Sequence, residues 1–211
     1  DSPEFTHPIA KRIRKRMPEV PIVDYVSPSV WAWRPGRAKR MRADVDHVLA
    51  LLPFEPDAHR RLGGPQCTYV GHPLIERLDE ITTADGEALA SRLGLSRDRP
   101  VLAVFPGSRR SEIHHLLKPF GETIATLAQS GRLFHVVIPA VKHLKAEILS
   151  GSSSWAVKPF VVDGAEDKYA AMRLADAALA VSGTVTLELA LARTPTVVAY
   201  KADRVMQVVR F

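Results

Sequence analysis

Cysteine is almost absent from this sequence: Cys67 is the only one in 211 residues, so no internal disulfide can form. The fold must rest on burial and hydrogen bonding, which suits a reducing compartment. Long apolar runs are missing too. None reaches the roughly 18 residues that a membrane-crossing helix requires, and the chain opens on Asp1 without the features of a secretory signal. A soluble or peripheral protein is expected, not an integral one. Aromatic residues make up 7% of the chain and are not interleaved with basic residues on the expected strands. That speaks against a nucleic-acid surface built on base stacking. Metal-ligand spacing is lacking as well. His114 and His115 are adjacent and so diverge on a helix, and Cys67 has no second thiol; no metal site is expected.

What the sequence does contain is apolar material for a core, 46% of residues, with 25% charged. That balance excludes a disordered or fibrous chain and fits one domain or two small ones. The net charge of +6 is unevenly placed. Lys11, Arg12, Arg14, Lys15, Arg16, Arg34, Arg37, Lys39, Arg40 and Arg42 are offset within their own stretch only by Glu19 and Asp24. Such a patch attracts polyanions: nucleic acid, a phosphorylated ligand or an anionic membrane surface. A solvated helix face is the equal alternative.

Along the chain, short apolar runs alternate with longer amphipathic ones. Thr6 is placed to cap a helix carrying Ile9, Ile13 and Met17 on one stripe, with Pro18 as its stop. Residues 20–26 read as a buried strand, and 29–44 as a helix interrupted near Pro35 and Gly36. Strands are expected at 47–52 and 67–70, with a short helix at 55–62. After a polar connection, a helix ends at Gly94. Strands at 101–105, 134–138, 160–162, 177–181 and 196–200 then alternate with helices at 112–129, 141–149, 166–174 and 186–192. Two-sided apolar strands joined by helices imply parallel sheets covered by helices, the α/β class. The break near residues 73–80 predicts two Rossmann-like lobes, 1–77 and 78–211. Both are expected to be incomplete, lacking strands that a longer parent chain supplies.

In open parallel sheets ligands sit at the carboxyl ends of strands, and three strand ends carry suggestive residues. At the first, Gly107 and Ser108 precede a helix, where backbone N–H groups can hold a phosphate, and Arg109 can add a charged contact. At the second, Ser182, Gly183 and Thr184 bring hydroxyl and N–H groups to another strand-to-helix turn, although Thr184 can equally be an ordinary cap. Glu188 follows one turn later. It would repel a phosphate directly but can accept from a ribose diol; read from its surroundings alone, a solvent-facing acid is the simpler assignment. At the third, His72 is held extended by Pro73 and lines a cleft or is a satisfied loop histidine. Trp31 and Trp33 flank Arg34 and read as apolar anchors, in a core or at a membrane interface, ahead of base-stacking groups.

Six strings together are far more specific than any one. They are Asp1-Ser-Pro-Glu-Phe-Thr6, Tyr25-Val-Ser-Pro-Ser-Val-Trp-Ala-Trp-Arg34, Leu52-Pro-Phe-Glu55, Val70-Gly-His-Pro-Leu74, Pro106-Gly-Ser-Arg109 and Ser182-Gly-Thr-Val-Thr-Leu-Glu188. In this order they resemble the lipid-A-disaccharide synthases, and the resemblance runs over essentially the full length. It implies a two-lobed B-type glycosyltransferase fold. It also implies inverting, metal-independent transfer from UDP-2,3-diacylglucosamine to 2,3-diacylglucosamine 1-phosphate, giving a β-1,6-linked disaccharide and UDP. No cofactor and no nucleic-acid partner are implied. The implied location is cytoplasmic, peripheral on the inner face of the cytoplasmic membrane.

The family's acidic motif Asp-x-Pro-Asp-Phe-Asn stands here as Asp1-Ser-Pro-Glu-Phe-Thr6, so Asp1 matches the general base while Glu4 and Thr6 depart from the pattern. Gly107, Ser108, Arg109, Ser182, Gly183, Thr184 and Glu188 match the donor-nucleotide region, and His72 is a cleft candidate. The family's glycine-rich start and its closing Asn-Leu-Leu loop are absent from this sequence. Among other enzymes, a B-type UDP-sugar transferase or epimerase would share the nucleotide half but not the tryptophan string.

Overall fold

The computed structural model describes residues 3–201. The chain divides into two compact units, one up to Glu76 and one from Arg77 onward.

The first unit holds a three-stranded parallel sheet in the order β1-β2-β3, formed by Val23–Tyr25, His47–Ala50 and Gln66–Tyr69. Register aligns Asp24, Val48 and Cys67 on one face. That face carries the core, where Val48 packs with Ala10 of α1 (Pro3–Arg16), Met41 of α2 (Gly36–Met41) and Val45. Val23 and Tyr25 point the other way and are exposed. The expectation of a buried strand over 20–26 is therefore corrected: β1 is three residues long and only one of its faces is covered.

Two helix expectations also change. Helix α1 already includes Pro3, so Thr6 lies inside it and is not its cap. Its buried residue is Ala10; Ile9 and Met17 are exposed, so the apolar stripe does not form the contact. Arg14 turns inward instead, donating to the Pro18 carbonyl at 2.6 Å and pairing with Asp46 at 2.5 Å. Residues 29–34 form turns, not a helix, and the helix begins only after Pro35. Arg34 there has φ +52° and stacks over Trp33 at 5.2 Å. Trp31 and Trp33 are both substantially exposed, so neither is a core anchor.

Helix α3 (Glu55–Arg61) buries Glu55 and His59. Glu55 accepts from the Leu51 and Leu52 N–H groups at 3.1 and 2.8 Å. The Ser27 hydroxyl donates to the Pro28 carbonyl at 3.0 Å; with that proton committed, it accepts from His59 Nε2 at 2.8 Å. His59 Nδ1 then carries a buried lone pair with no partner among the described residues. Burial pushes the His59 imidazole pKa below its ordinary value.

The second unit is a five-stranded, all-parallel sheet in the order β6-β5-β4-β7-β8. Its strands are β4 Val101–Phe105, β5 His135–Ala140, β6 Phe160–Asp163, β7 Ala177–Val181 and β8 Thr196–Ala199. Both faces are covered, as two-sided apolar strands require. On one face Val104, Val136 and Ile138 pack under Ile113, Leu117, Phe120 and Ile124 of α6 (Arg110–Gln129) and Ile148 of α7 (Lys145–Gly151). On the other, Val101, Val137 and Val162 meet Leu89 of α5 (Gly86–Leu93) and Ala170 and Ala171 of α8 (Ala165–Leu174). Helix α5 is capped by Asp85, which accepts from Ala88 N–H at 2.9 Å, and stops at Gly94 with φ +66°. The polar connection before it folds into a 3₁₀ turn, Pro73–Arg77, and α4 (Leu78–Thr82).

The strand order matters more than any one element. The chain leaves β4 through α6 toward β5 and β6, then returns through α8 to β7 on the opposite side of β4. β4 and β7 therefore flank the point where the sheet reverses direction, the usual crevice for ligands in such sheets.

Candidate functional site

The carboxyl ends of β4 and β7 are Phe105 and Val181, and a pocket of about 350 Å³ opens beyond them. Its walls include Gly107, Ser108 and Arg109 from the first turn and Ser182, Gly183, Thr184 and Glu188 from the second. All seven residues singled out in this unit thus share one hollow. Glu112 of α6 and Lys168 of α8, not among those seven, also line it. Asp1 lies outside the described residues. His72 belongs to the first unit, where its Nδ1 accepts from the Leu74 N–H at 3.1 Å.

The two turns are built differently. In the first, Ser108 and Arg109 N–H groups both donate to Glu112 Oε2, at 2.9 and 3.2 Å, and Arg109 Nη1 donates to Glu112 Oε1 at 2.8 Å. One carboxylate three residues into the helix closes the turn, as in a capping box. The expectation of a free N–H for a phosphate is corrected at Ser108, whose donor, like that of Arg109, is already bonded within the turn. Gly107 makes this possible with φ +125°, and a Cβ there would sit 2.5 Å from Glu112 Cβ and Oε2. The Arg109 guanidinium keeps donors beyond the one it spends, and its side chain is mostly exposed.

The second turn is open. Ser182 N–H is committed to the Ala199 carbonyl at 3.0 Å. Gly183 and Thr184 N–H groups take no partner among the described residues, and the Thr184 side chain makes no cap to α9 (Val185–Leu191). A Cβ at Gly183 would meet nothing within 4 Å. Ser182, Gly183 and Thr184 are all exposed. The ordinary-cap reading of Thr184 fails on this geometry.

Glu188 is buried, 9% exposed, which overturns its assignment as a solvent-facing acid. Its Oε1 accepts from Lys168 Nζ at 2.7 Å and from the Tyr169 hydroxyl at 3.4 Å. Both bonds end on the same oxygen, so Oε2 is left for a ligand donor. Lys168 Nζ also lies 4.5 Å from the Tyr169 ring centroid, and Arg77 Nη1 donates to the Tyr169 hydroxyl at 3.4 Å. The pocket therefore offers free backbone donors and, one helical turn further on, a hydrogen-bond acceptor. That is the pattern a nucleotide needs, with phosphates toward the donors and sugar hydroxyls toward the acceptor.

A signal for Glu112 was present in the sequence, as Arg109-Arg-Ser-Glu112 fits the spacing of a helix start closed by an acid. Lys168 had none, because it meets Glu188 only through the packing of α8 beside α9. Among the described residues no three of histidine, cysteine, aspartate and glutamate cluster as metal ligands. No described helix is long and apolar enough to cross a membrane.

Comparison with known proteins bears on the family and the fold. The family model described as lipid-A-disaccharide synthetase matches residues 1–209. A curated lipid-A-disaccharide synthase of Nitrobacter winogradskyi is 59% identical over 205 residues, covering 97% of this chain and 51% of that protein. The chain thus spans about half the length of the curated relatives it matches. Among solved structures, Anabaena HepE in complex with UDP-glucose is 18% identical with a TM-score of 0.50, covering 96% of this chain and 58% of that one. A UDP-N-acetylglucosamine 2-epimerase from Rickettsia bellii is 15% identical with a TM-score of 0.51, at 90% and 58% coverage. At these identities the two structures speak for the fold alone.

Proposed function

The chain belongs to the lipid-A-disaccharide synthetase family, and from that premise we propose that its full-length protein is an inverting glycosyltransferase. It joins UDP-2,3-diacylglucosamine to 2,3-diacylglucosamine 1-phosphate, releasing UDP and the β-1,6-linked disaccharide 1-phosphate. The observation that carries the reading is the family match over residues 1–209. The pocket at the sheet's reversal point supports it, since it gathers every donor-side residue of the family's pattern.

In this reading the acceptor hydroxyl attacks the anomeric carbon in line, and UDP leaves from the opposite face. Asp1 takes the hydroxyl proton as general base, an effect typically worth about 10²–10⁴-fold. Glu188 Oε2 accepts from the ribose diol. The Gly183 and Thr184 N–H groups and the outer donors of Arg109 meet the diphosphate as its charge grows during departure. Fixed donors of this kind stabilise charge without having to reorganise when it forms.

The first unit supplies a setting for the acceptor. Lys11, Arg34, Arg37 and Arg40 surround one hollow of about 380 Å³. Arg37 is paired there with Glu4 at 2.6 Å, while Lys11, Arg34 and Arg40 are exposed. These cations hold the acceptor phosphate or dock the enzyme on anionic lipid, at about 1 kcal/mol per basic residue near the surface. Reversing Lys11, Arg34 and Arg40 together is expected to weaken binding to anionic vesicles while the fold persists. Unchanged vesicle binding returns the patch to a solvated face.

The direct test is disaccharide formation by the full-length protein from the two acylated sugars. Product is expected from the wild type. Asp1→Asn, nearly isosteric but unable to take the proton, should lower kcat steeply and leave donor KM nearly unchanged. No product from the wild type rejects the reading, and near-normal turnover by Asp1→Asn removes Asp1 as the base.

A further inference from the structure

Glu188 presents a problem that the nucleotide reading leaves open. A buried carboxylate on the wall of a pocket meant for a diphosphate repels its own ligand, and burial weakens the screening that solvent would give. The structure shows what answers the repulsion. Lys168 comes from the first half of α8, on a different crossover from either turn, and places Nζ 2.7 Å from Glu188 Oε1. The pair is largely withdrawn from solvent, with the lysine 29% and the glutamate 11% exposed at the side chain. Tyr169, 2% exposed, fixes the pair from below through its hydroxyl and its ring. Lys168 is itself part of the wall of the pocket that Ser182, Gly183 and Thr184 also line.

We propose that Lys168 is a further nucleotide-binding residue of this site, the counter-ion that makes it select a nucleoside diphosphate over the bare nucleoside. An ammonium group has three donors. One is spent on Glu188, and the others are available to a phosphate oxygen entering the pocket. The pair as a whole is neutral, so the acceptor that reads the ribose no longer opposes the charged end of the same ligand. The surrounding charges are consistent with this. Arg77 reaches Tyr169 rather than the pocket, and Arg109 belongs to the other turn, so Lys168 is the pocket-lining cation bonded to the glutamate. This inference rests on the nucleotide reading of the pocket.

The two are separated by titrating full-length protein with UDP, and with uridine by displacement, in wild type, Lys168→Met and Lys168→Arg. In the wild type UDP should bind, and its absence overturns the nucleotide reading itself. Lys168→Met is expected to weaken UDP about tenfold or more, the scale of a lost charge-assisted hydrogen bond, and to change uridine by no more than about twofold. Lys168→Arg should recover most of the UDP affinity. An equal loss for both ligands marks a purely structural lysine and overturns the inference, as does no loss at all, while the nucleotide reading survives either result. If Lys168→Met leaves Glu188 unpaired and the protein does not fold, Lys168→Met with Glu188→Gln removes both charges. The ratio of UDP to uridine affinity then decides in the same way.

Discussion

The two turns that face each other across the sheet's reversal point share a sequence style and differ in bonding. Each follows an interior parallel strand, each sets a glycine beside a serine, and each leads into a helix. At the first turn the Ser108 and Arg109 backbone donors are turned inward onto Glu112. At the second turn the Gly183 and Thr184 donors have no partner among the described residues and line the pocket. The first is a closed piece of structure that presents one charged side chain; the second leaves two backbone donors open among the described residues. A glycine-containing turn before a helix therefore says little until the first acid of the helix has been located.

Three substitutions test this contrast. Gly107→Ala should be the most damaging, because the new methyl meets Glu112 and the backbone holds φ +125°. A stability loss of about 2–3 kcal/mol is expected in urea unfolding. Glu112→Gln keeps the shape but replaces charge-assisted bonds by neutral ones. It should cost about 1–2 kcal/mol, with UDP affinity nearly unaltered. A large gain in UDP affinity in that variant would mean that Glu112 competes with the ligand, and the contrast between the turns would collapse. Gly183→Ala should leave stability within about 0.5 kcal/mol, since its Cβ meets open space. Yet it should weaken UDP about tenfold, the scale of one misplaced methyl group. If the two glycine variants behave alike, the distinction is wrong.

How far the sequence could be read depended on where a residue's partners lie. In the second unit β4 and β7 occupy the predicted 101–105 and 177–181, because their sides are all covered and an apolar run bounded by turn residues suffices to mark them. The first unit was harder. β1 has exposed Val23 and Tyr25, and residues 29–34 carry helix-compatible side chains in a turn set by Pro28, Pro35 and the left-handed Arg34. The site was legible where it sits on consecutive residues, at Gly107 to Arg109 and Ser182 to Thr184. Lys168 and the burial of Glu188 arise from two helices that meet only when the sheet is assembled, and no local spacing encodes that meeting.

The enclosed His59 ties the first unit to acidity. Its imidazole resists protonation where it is buried, whereas an unfolded chain takes up that proton near pH 6.5. At pH values above that, neither state holds the proton and the histidine is neutral in the ledger. As pH falls below it the unfolded form binds more protons, so stability drains away until the folded pKa is reached. Acid should loosen this unit while the second unit's sheet persists, and His59→Gln should flatten that part of the stability curve. An unchanged slope between pH 7 and 5 would place the acid sensitivity elsewhere. One buried histidine thus sets how the first unit's stability answers to acid.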